Sequence, residues 1–204
     1  MLFRLESRPR TGEILLLVQS QGAPDWTWMV APEHRHLLLP LGDEPNPWVK
    51  RFDPKLRAGQ VLQFRLQANP TVKRQGRRYG LYREEEQADW LRRKGERGGF
   101  RVVEMRITGQ GMVEDDLTRD GAKHAVQLLS VQFDGLLQVS DATRLLDSIR
   151  QGVGSGKGLG FGLLSLAPAL TMGGARGMCA TRALKSLGGV PCATCTNCPS
   201  SATA

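Results

Sequence analysis

The chain has 204 residues, 40% of them apolar and 24% charged, a length that suits one large domain or two small ones. No apolar run approaches the roughly 20 residues of a membrane helix, and Met1-Leu2-Phe3-Arg4-Leu5-Glu6 lacks the basic and apolar regions of a signal peptide, so a cytoplasmic protein is expected. A net charge of +8 and a pI near 9.8 favour polyanionic partners, without separating RNA from DNA or from a membrane surface.

In chain order, Leu2 to Glu6 and Ile14 to Ser20 read as strands, joined by a turn that holds Pro9 and Gly12. Asp25 to Met29 predicts a short helix. A Pro-punctuated stretch follows, from Pro32 to Pro54, with a strand expected around Trp48 to Phe52. Leu62 to Ala68 alternates strictly between apolar and polar residues, the period of a half-buried strand. Asn69-Pro70 ends it, and Lys73 to Tyr79 reads as a basic loop. Glu84 to Arg97 is a helix with early acids and late bases, closed by Gly98-Gly99.

Arg101 to Ile107 predicts a strand with Val103, Met105 and Ile107 on one face. Val126 to Val139 is a longer strand that turns Leu129, Val131 and Phe133 inward, and Gly135 marks a bulge within it. Asp141 to Gln151 places Ala142, Leu145, Leu146 and Ile149 on one helical face, with Ser140 or Asp141 as its cap. A glycine-rich stretch then leads into a last strand around Leu159 to Leu166.

Residues 61–167 thus read strand, helix, strand, strand, helix, strand, the order of a ferredoxin-like unit, an architecture shared by RNA-binding sheets. The preceding residues resemble most of a second such unit that lacks its opening strand and helix. The expected organisation is α+β. Residues 1–58 form an incomplete ferredoxin-like domain, 59–168 a complete one, and 169–204 a flexible low-complexity tail.

Six glycines alternate with other residues from Gly152 to Gly162. Glycine permits close approach of a ligand, and successive free N–H groups bind phosphate. The spacing fails the Walker pattern, because Gln151 stands five places before Gly156 and Gly158 follows Lys157. It also fails the dinucleotide pattern, because the third glycine is missing and a strand rather than a helix follows. A tight helix-to-strand connection is the plainer alternative. The Lys73–Arg78 stretch, with Tyr79 and Tyr82 nearby, interleaves cations and rings as RNA-binding surfaces do, although charge runs are commonly no more than a solvated face. Three histidines occur, His34, His36 and His124. His34 and His36 have no serine or cysteine partner close in sequence, and His124, just before the long strand, reads as a surface residue. The four cysteines, Cys179, Cys192, Cys195 and Cys198, all lie in the tail, so the body reads as a reduced intracellular protein. Their Cys-x2-Cys spacings suit a metal, but the tail lacks the second spaced pair of a zinc ribbon. An unstructured extension is preferred, with no metal and no cofactor.

Several segments together resemble the CasE family, the CRISPR-RNA endoribonucleases of the type I-E Cascade complex. Phe64-Arg65-Leu66-Gln67-Ala68-Asn69-Pro70-Thr71-Val72-Lys73 is similar to a family strand, Glu85 to Lys94 to its central helix, and Gly152 to Pro168 to its C-terminal signature. The resemblance covers residues 1–168. It implies two ferredoxin-like domains that bind the stem-loop of a CRISPR repeat and cut at its 3′ base without metal. It further implies that the product stays bound within the antiviral Cascade assembly, beside other Cascade subunits. By motif, Gly152, Gly154, Ser155, Gly156, Lys157, Gly160 and Gly162 lie near the RNA backbone. Charge alone adds Lys73, Arg74, Arg77 and Arg78 as phosphate contacts.

Family members begin with a strand and a helix carrying the catalytic histidine, and the chain starts after both. Either the true start lies upstream or the gene is broken, so an inactive chain is expected, its catalytic residues unassigned. The tail is foreign to the family and reads as extension past a lost stop or a frameshift. The alternatives are a non-catalytic RNA-holding module or the remnant of a damaged gene.

Overall fold

A computed structural model describes residues 1–40, 43, 45–119 and 122–169; the cysteine-bearing tail lies outside the described residues. The chain divides into two compact units. The described part of one lies within residues 1–25 and 49–169, and the described part of the other lies within Trp26–Trp48.

The larger unit is built on a four-stranded antiparallel sheet. Its strands are β3 (Val61–Ala68), β6 (Phe100–Arg119), β7 (Ala122–Val139) and β8 (Leu164–Pro168), in the order β6-β7-β3-β8. Two helices, α2 (Glu84–Arg97) and α3 (Ala142–Gln151), connect them, and the core lies on the sheet face they cover. This is the strand order of a ferredoxin-like unit, with the first and third strands central. The alternation of β3 has the expected consequence: Leu62, Phe64, Leu66 and Ala68 are buried, while Val61, Gln63 and Arg65 are exposed. Opposite them, Leu129, Val131 and Phe133 of β7 are buried. From α2, Trp90 stacks on Phe133 with ring centroids 6.3 Å apart. From α3, Leu145 and Ile149 complete the layer. Each such side chain stabilises the fold by about 1.5–3 kcal/mol.

Helix ends follow local chemistry. Asp141 accepts from the Thr143 and Arg144 N–H groups and so caps α3. Glu84, Glu85 and Glu86 open α2, and Lys94 and Arg97 close it. Gly99 follows with φ +80°, and a Cβ there would stand 2.4 Å from the Asp141 carbonyl oxygen.

Five expectations need correction. The basic stretch is not a loop but a hairpin, β4 (Thr71–Arg74) paired with β5 (Arg77–Gly80) and inserted between β3 and α2. Val103 points outward, 55% exposed, because the β6 register shifts between Val102 and Glu104. The extra residue inverts the alternation, so Val102 packs on the core together with Met105 and Ile107. Gly135, expected to mark a bulge in its own strand, instead pairs with Met105 beside this bulge of β6, and a Cβ on it would meet the Glu104 carbonyl oxygen. No strand forms around Trp48 to Phe52: among the described residues no strand lies alongside to supply a ladder. The last strand starts at Leu164, after a 3₁₀ turn at Lys157–Leu159. Beyond Gln110 and Val131, β6 and β7 continue as a two-stranded ribbon, paired among the described residues only with each other.

At the start of the same unit, β1 (Leu2–Arg8) and β2 (Glu13–Gln19) form an antiparallel hairpin. Its anchor is Arg4, only 2% exposed. Arg4 donates to Glu6 Oε1 at 2.7 Å, to Ser165 Oγ at 2.9 Å and to the Leu163 carbonyl at 3.1 Å. Arg65 Nε donates to Asp134 Oδ1 at 2.6 Å. Asp134 also accepts from Thr108 and Gln132. Burial raises the Asp134 pKa, but these donors, Arg65 foremost, outweigh it and hold the carboxyl below its usual range.

In the smaller unit, α1 (Thr27–Val30) is the expected short helix. The Trp28 ring meets the edge of His34, with centroids 6.1 Å apart, and Asn46 Nδ2 donates to the Leu39 carbonyl at 2.7 Å.

Candidate nucleic-acid interface

The β4–β5 hairpin follows from its turn. Gln75 and Gly76 both have positive φ, +48° and +80°, the conformation that lets two residues connect twisted strands. Its base is held by the Leu81 N–H donating to the Pro70 carbonyl at 3.0 Å. The register places Lys73 opposite Arg78 and Arg74 opposite Arg77. Because strand side chains alternate, each face of the hairpin carries one cross-strand pair of cations. All four are exposed, and none has an ion pair among the described residues. Like charges set directly across a ladder are destabilising, and an anion bound between them removes that cost.

The glycine-rich stretch is shaped from inside the molecule. A Cβ on Gly152 would meet the Leu2 side chain, on Gly154 the Trp90 ring, on Gly156 the Phe161 ring, and on Gly160 the Phe3 ring. The alternation therefore lets a tight connection lie down on aromatic and aliphatic side chains. The Val153 N–H donates to the Gly162 carbonyl, Leu159 N–H to Gly156, and Gly162 N–H to Gln67, so these three amides already have acceptors. Ser155 forms a bridge with Asn69 and, with Gly156, faces a cleft. Lys157 stands half-buried on the 3₁₀ turn.

Sequence reasoning missed Lys94. In the last turn of α2 it reads as a base complementing the helix dipole. The structure sets its ammonium 5.7 Å from the Trp90 ring centroid, the same ring that packs on Gly154. Burial lowers its pKa, and repulsion from Arg97, Lys157 and Arg78 lowers it further. The end of α2, the glycine-rich turn and the basic hairpin therefore converge in one electropositive region.

Between the hairpin and the glycine-rich turn lies a cleft of about 250 Å³, lined by Asn69, Thr71, Arg78, Tyr82, Gln127 and Ser155 among others. Tyr82 is 61% exposed, and its ring lies over Gly80. Gln87, fully buried in α2, donates to the Leu81 carbonyl at 2.9 Å and fixes the chain just before Tyr82. Asn69 and Thr71 stand in the strand resembling the family pattern, but only the tertiary structure sets them beside Ser155. Among the described residues, no histidine, cysteine or carboxylate lines the cleft. Of the three histidines, His34 rests against Trp28 and His36 is exposed; the side chain of His124 lies outside the described residues. Among the described residues, no three His, Cys, Asp or Glu side chains gather as metal ligands, and no helix is long and apolar enough to cross a membrane.

Comparison with known proteins agrees with this architecture. A family model described as CRISPR associated protein matches residues 1–168. The chain is 38% identical over 178 residues to the CRISPR-associated endoribonuclease Cse3 of Thermus thermophilus, covering 82% of this chain and 80% of that protein. It is 33% identical over 159 residues to the CRISPR system Cascade subunit CasE of Escherichia coli, covering 67% and 76%. The structure of the endoribonuclease Cse3 bound to a 19-nucleotide RNA superposes with a TM-score of 0.67 at 36% identity, over 82% of this chain and 79% of that one. Cas6e from Escherichia coli gives 0.58 at 29% identity, over 82% and 84%. The antiparallel α+β architecture is that of these tandem ferredoxin-like proteins. The chain belongs to the CRISPR associated protein family, as a CasE-type protein of the type I-E systems.

Proposed function

We propose that this chain binds the stem-loop of a CRISPR repeat RNA and holds it for the Cascade assembly. The observation that carries the reading is the β4–β5 hairpin, with its opposed cation pairs Lys73/Arg78 and Arg74/Arg77 and no carboxylate among the described residues to neutralise them. Lys94 and Lys157 extend the same positive region. Ser155, Gly156 and the turn around Gly152, Gly154, Gly160 and Gly162 border it and set the approach of the RNA backbone.

The reaction we assign to this class of protein is transesterification without metal. The ribose 2′-oxygen forms a bond to the adjacent phosphorus while the bond from phosphorus to the 5′-oxygen breaks. A general base takes the 2′-hydroxyl proton, and a general acid returns one to the leaving 5′-oxygen. The products are a 2′,3′-cyclic phosphate and a 5′-hydroxyl. Cationic donors such as Lys157 stabilise the charge that builds on the phosphorane oxygens. Proton transfer is assigned to no described residue.

One observation favours a second reading, a non-catalytic RNA-holding module: among the described residues, no histidine, cysteine or carboxylate lines the cleft beside the hairpin. A gel assay with the cognate repeat hairpin in EDTA separates the two. Cleavage to a cyclic-phosphate product supports the endoribonuclease, and tight binding of an uncut hairpin supports the holding module. Affinity no better than for a scrambled RNA of equal length overturns both.

A further inference from the structure

The cleft between the basic hairpin and the glycine-rich turn has chemistry that the capture of a duplex backbone does not use. Its volume, about 250 Å³, lies just below the roughly 300–1,000 Å³ typical of small-ligand pockets. It is too small for a base pair and its backbones. Among the described residues, Arg78 is the one cation in its lining and no carboxylate lines it. The remaining groups mix donors, acceptors and a ring. The Thr71 and Ser155 hydroxyls stand 3.5 Å apart. Gln127 commits its amide N–H to Glu114, which leaves its carbonyl oxygen as an acceptor.

Asn69 is the most telling member. It is 3% exposed, its Oδ1 is buried without a hydrogen-bond partner, and its Nδ2 donates to nothing among the described residues. A buried amide left unpaired costs about 1–3 kcal/mol. With no neighbour holding it, the amide is able to turn either end toward a ligand, and an amide that accepts and donates together matches the edge of a nucleobase. Gln87 and Gly80 hold Tyr82 at the rim of the cleft with its ring uncovered. Rings displayed in this way stack on unpaired bases.

We propose that this cleft is a pocket for one unpaired nucleotide of the bound RNA. Its base stacks on Tyr82 and is read by Asn69 with the Thr71 and Ser155 hydroxyls, and its phosphate meets Arg78. The inference rests on the RNA-holding reading and adds to it a single-stranded element beside the stem. Cross-strand cations recognise any phosphate backbone; this pocket distinguishes a stem that continues into single-stranded RNA from one that ends blunt.

The test measures the affinity of the full chain for two RNAs, the cognate repeat hairpin with unpaired nucleotides on both sides of its stem and the same hairpin trimmed blunt. The flanked RNA is expected to bind about tenfold more tightly, the size of one base–aromatic stack. Tyr82→Ala should erase that advantage without changing the affinity for the blunt hairpin, and Tyr82→Phe should restore it. Tyr82 is exposed, so thermal unfolding of Tyr82→Ala should match that of the parent. An advantage that survives Tyr82→Ala, or an equal loss with both RNAs, overturns the pocket. If the parent binds neither hairpin above scrambled RNA, the RNA-holding reading fails on its own. The pocket is then judged by saturation-transfer NMR with AMP, CMP, GMP and UMP. Transfer that disappears in Tyr82→Ala supports it, and no transfer to any of the four overturns it.

Discussion

Two regions of this molecule are rich in arginine, and they use it in opposite ways. Where β1 meets the sheet, Arg4 and Arg65 are surrounded by acceptors: Glu6, Asp134, Ser165 and the carbonyl of Leu163. On the β4–β5 hairpin, Arg74, Arg77 and Arg78 face another cation across the ladder and meet no carboxylate among the described residues. The first set is satisfied within the fold and holds it together. The second is satisfied only by something outside it. Charge counts treat the two sets alike; partners tell them apart.

Removing a member of the first set should have the largest effect. Arg4→Ala leaves the Leu163 carbonyl and Ser165 Oγ without their donor, and should cost about 3 kcal/mol in urea unfolding. Fastening by Arg4 is wrong if the midpoint does not move. Arg77→Glu should show the opposite pattern. It sets an acid across from Arg74 and should stabilise the hairpin by about 0.2–1 kcal/mol. It should also weaken RNA binding at least tenfold and reduce the slope of log affinity against log salt, by roughly 0.7–0.9 for each phosphate that is no longer neutralised. An unchanged salt slope would remove the hairpin from the interface.

Acid should distinguish the regions next. Asp134 has a folded pKa below its unfolded value, so its contribution to stability is complete above the unfolded pKa, near 3.9. It is lost as pH falls through the lower folded value. Asp134→Asn should therefore flatten the decline in stability below about pH 4. The effect is modest, because the pair is partly exposed and screened. The smallest effect concerns Lys94. Burial and three neighbouring cations lower its pKa, and an RNA phosphate favours its charged form, so the complex should take up protons at alkaline pH. Affinity should fall with rising pH there, and Lys94→Arg should remove most of that slope. A slope retained by Lys94→Arg would place the titration elsewhere.

Much of the scaffold was legible because it is written in short-range periods. Strict alternation placed Leu62 to Ala68 in a strand with the correct face buried. The acid-to-base gradient delimited Glu84 to Arg97, and Asp141 announced its own helix. The failures share one cause, dependence on a partner distant in sequence. Trp48 to Phe52 has strand-forming residues but no ladder. Val103 fits the outward alternation only once the bulge opposite Leu136 and Leu137 is known. The basic stretch gave charge and read as a loop, and the opposition of Lys73 to Arg78 exists only in the paired register.

The sequence by itself determined the family, the ferredoxin-like order of elements, and the residues that supply positive charge, because these depend on local pattern and composition. Tertiary structure alone decided which cations are spent inside the fold and which remain for a ligand. It buried Arg4, set Lys94 beside Lys157 and Arg78, and left the Asn69 amide unpaired at the edge of a cleft. The physical reason is that the energy of a charged or polar group depends on what surrounds it, and those surroundings are assembled from residues far apart along the chain.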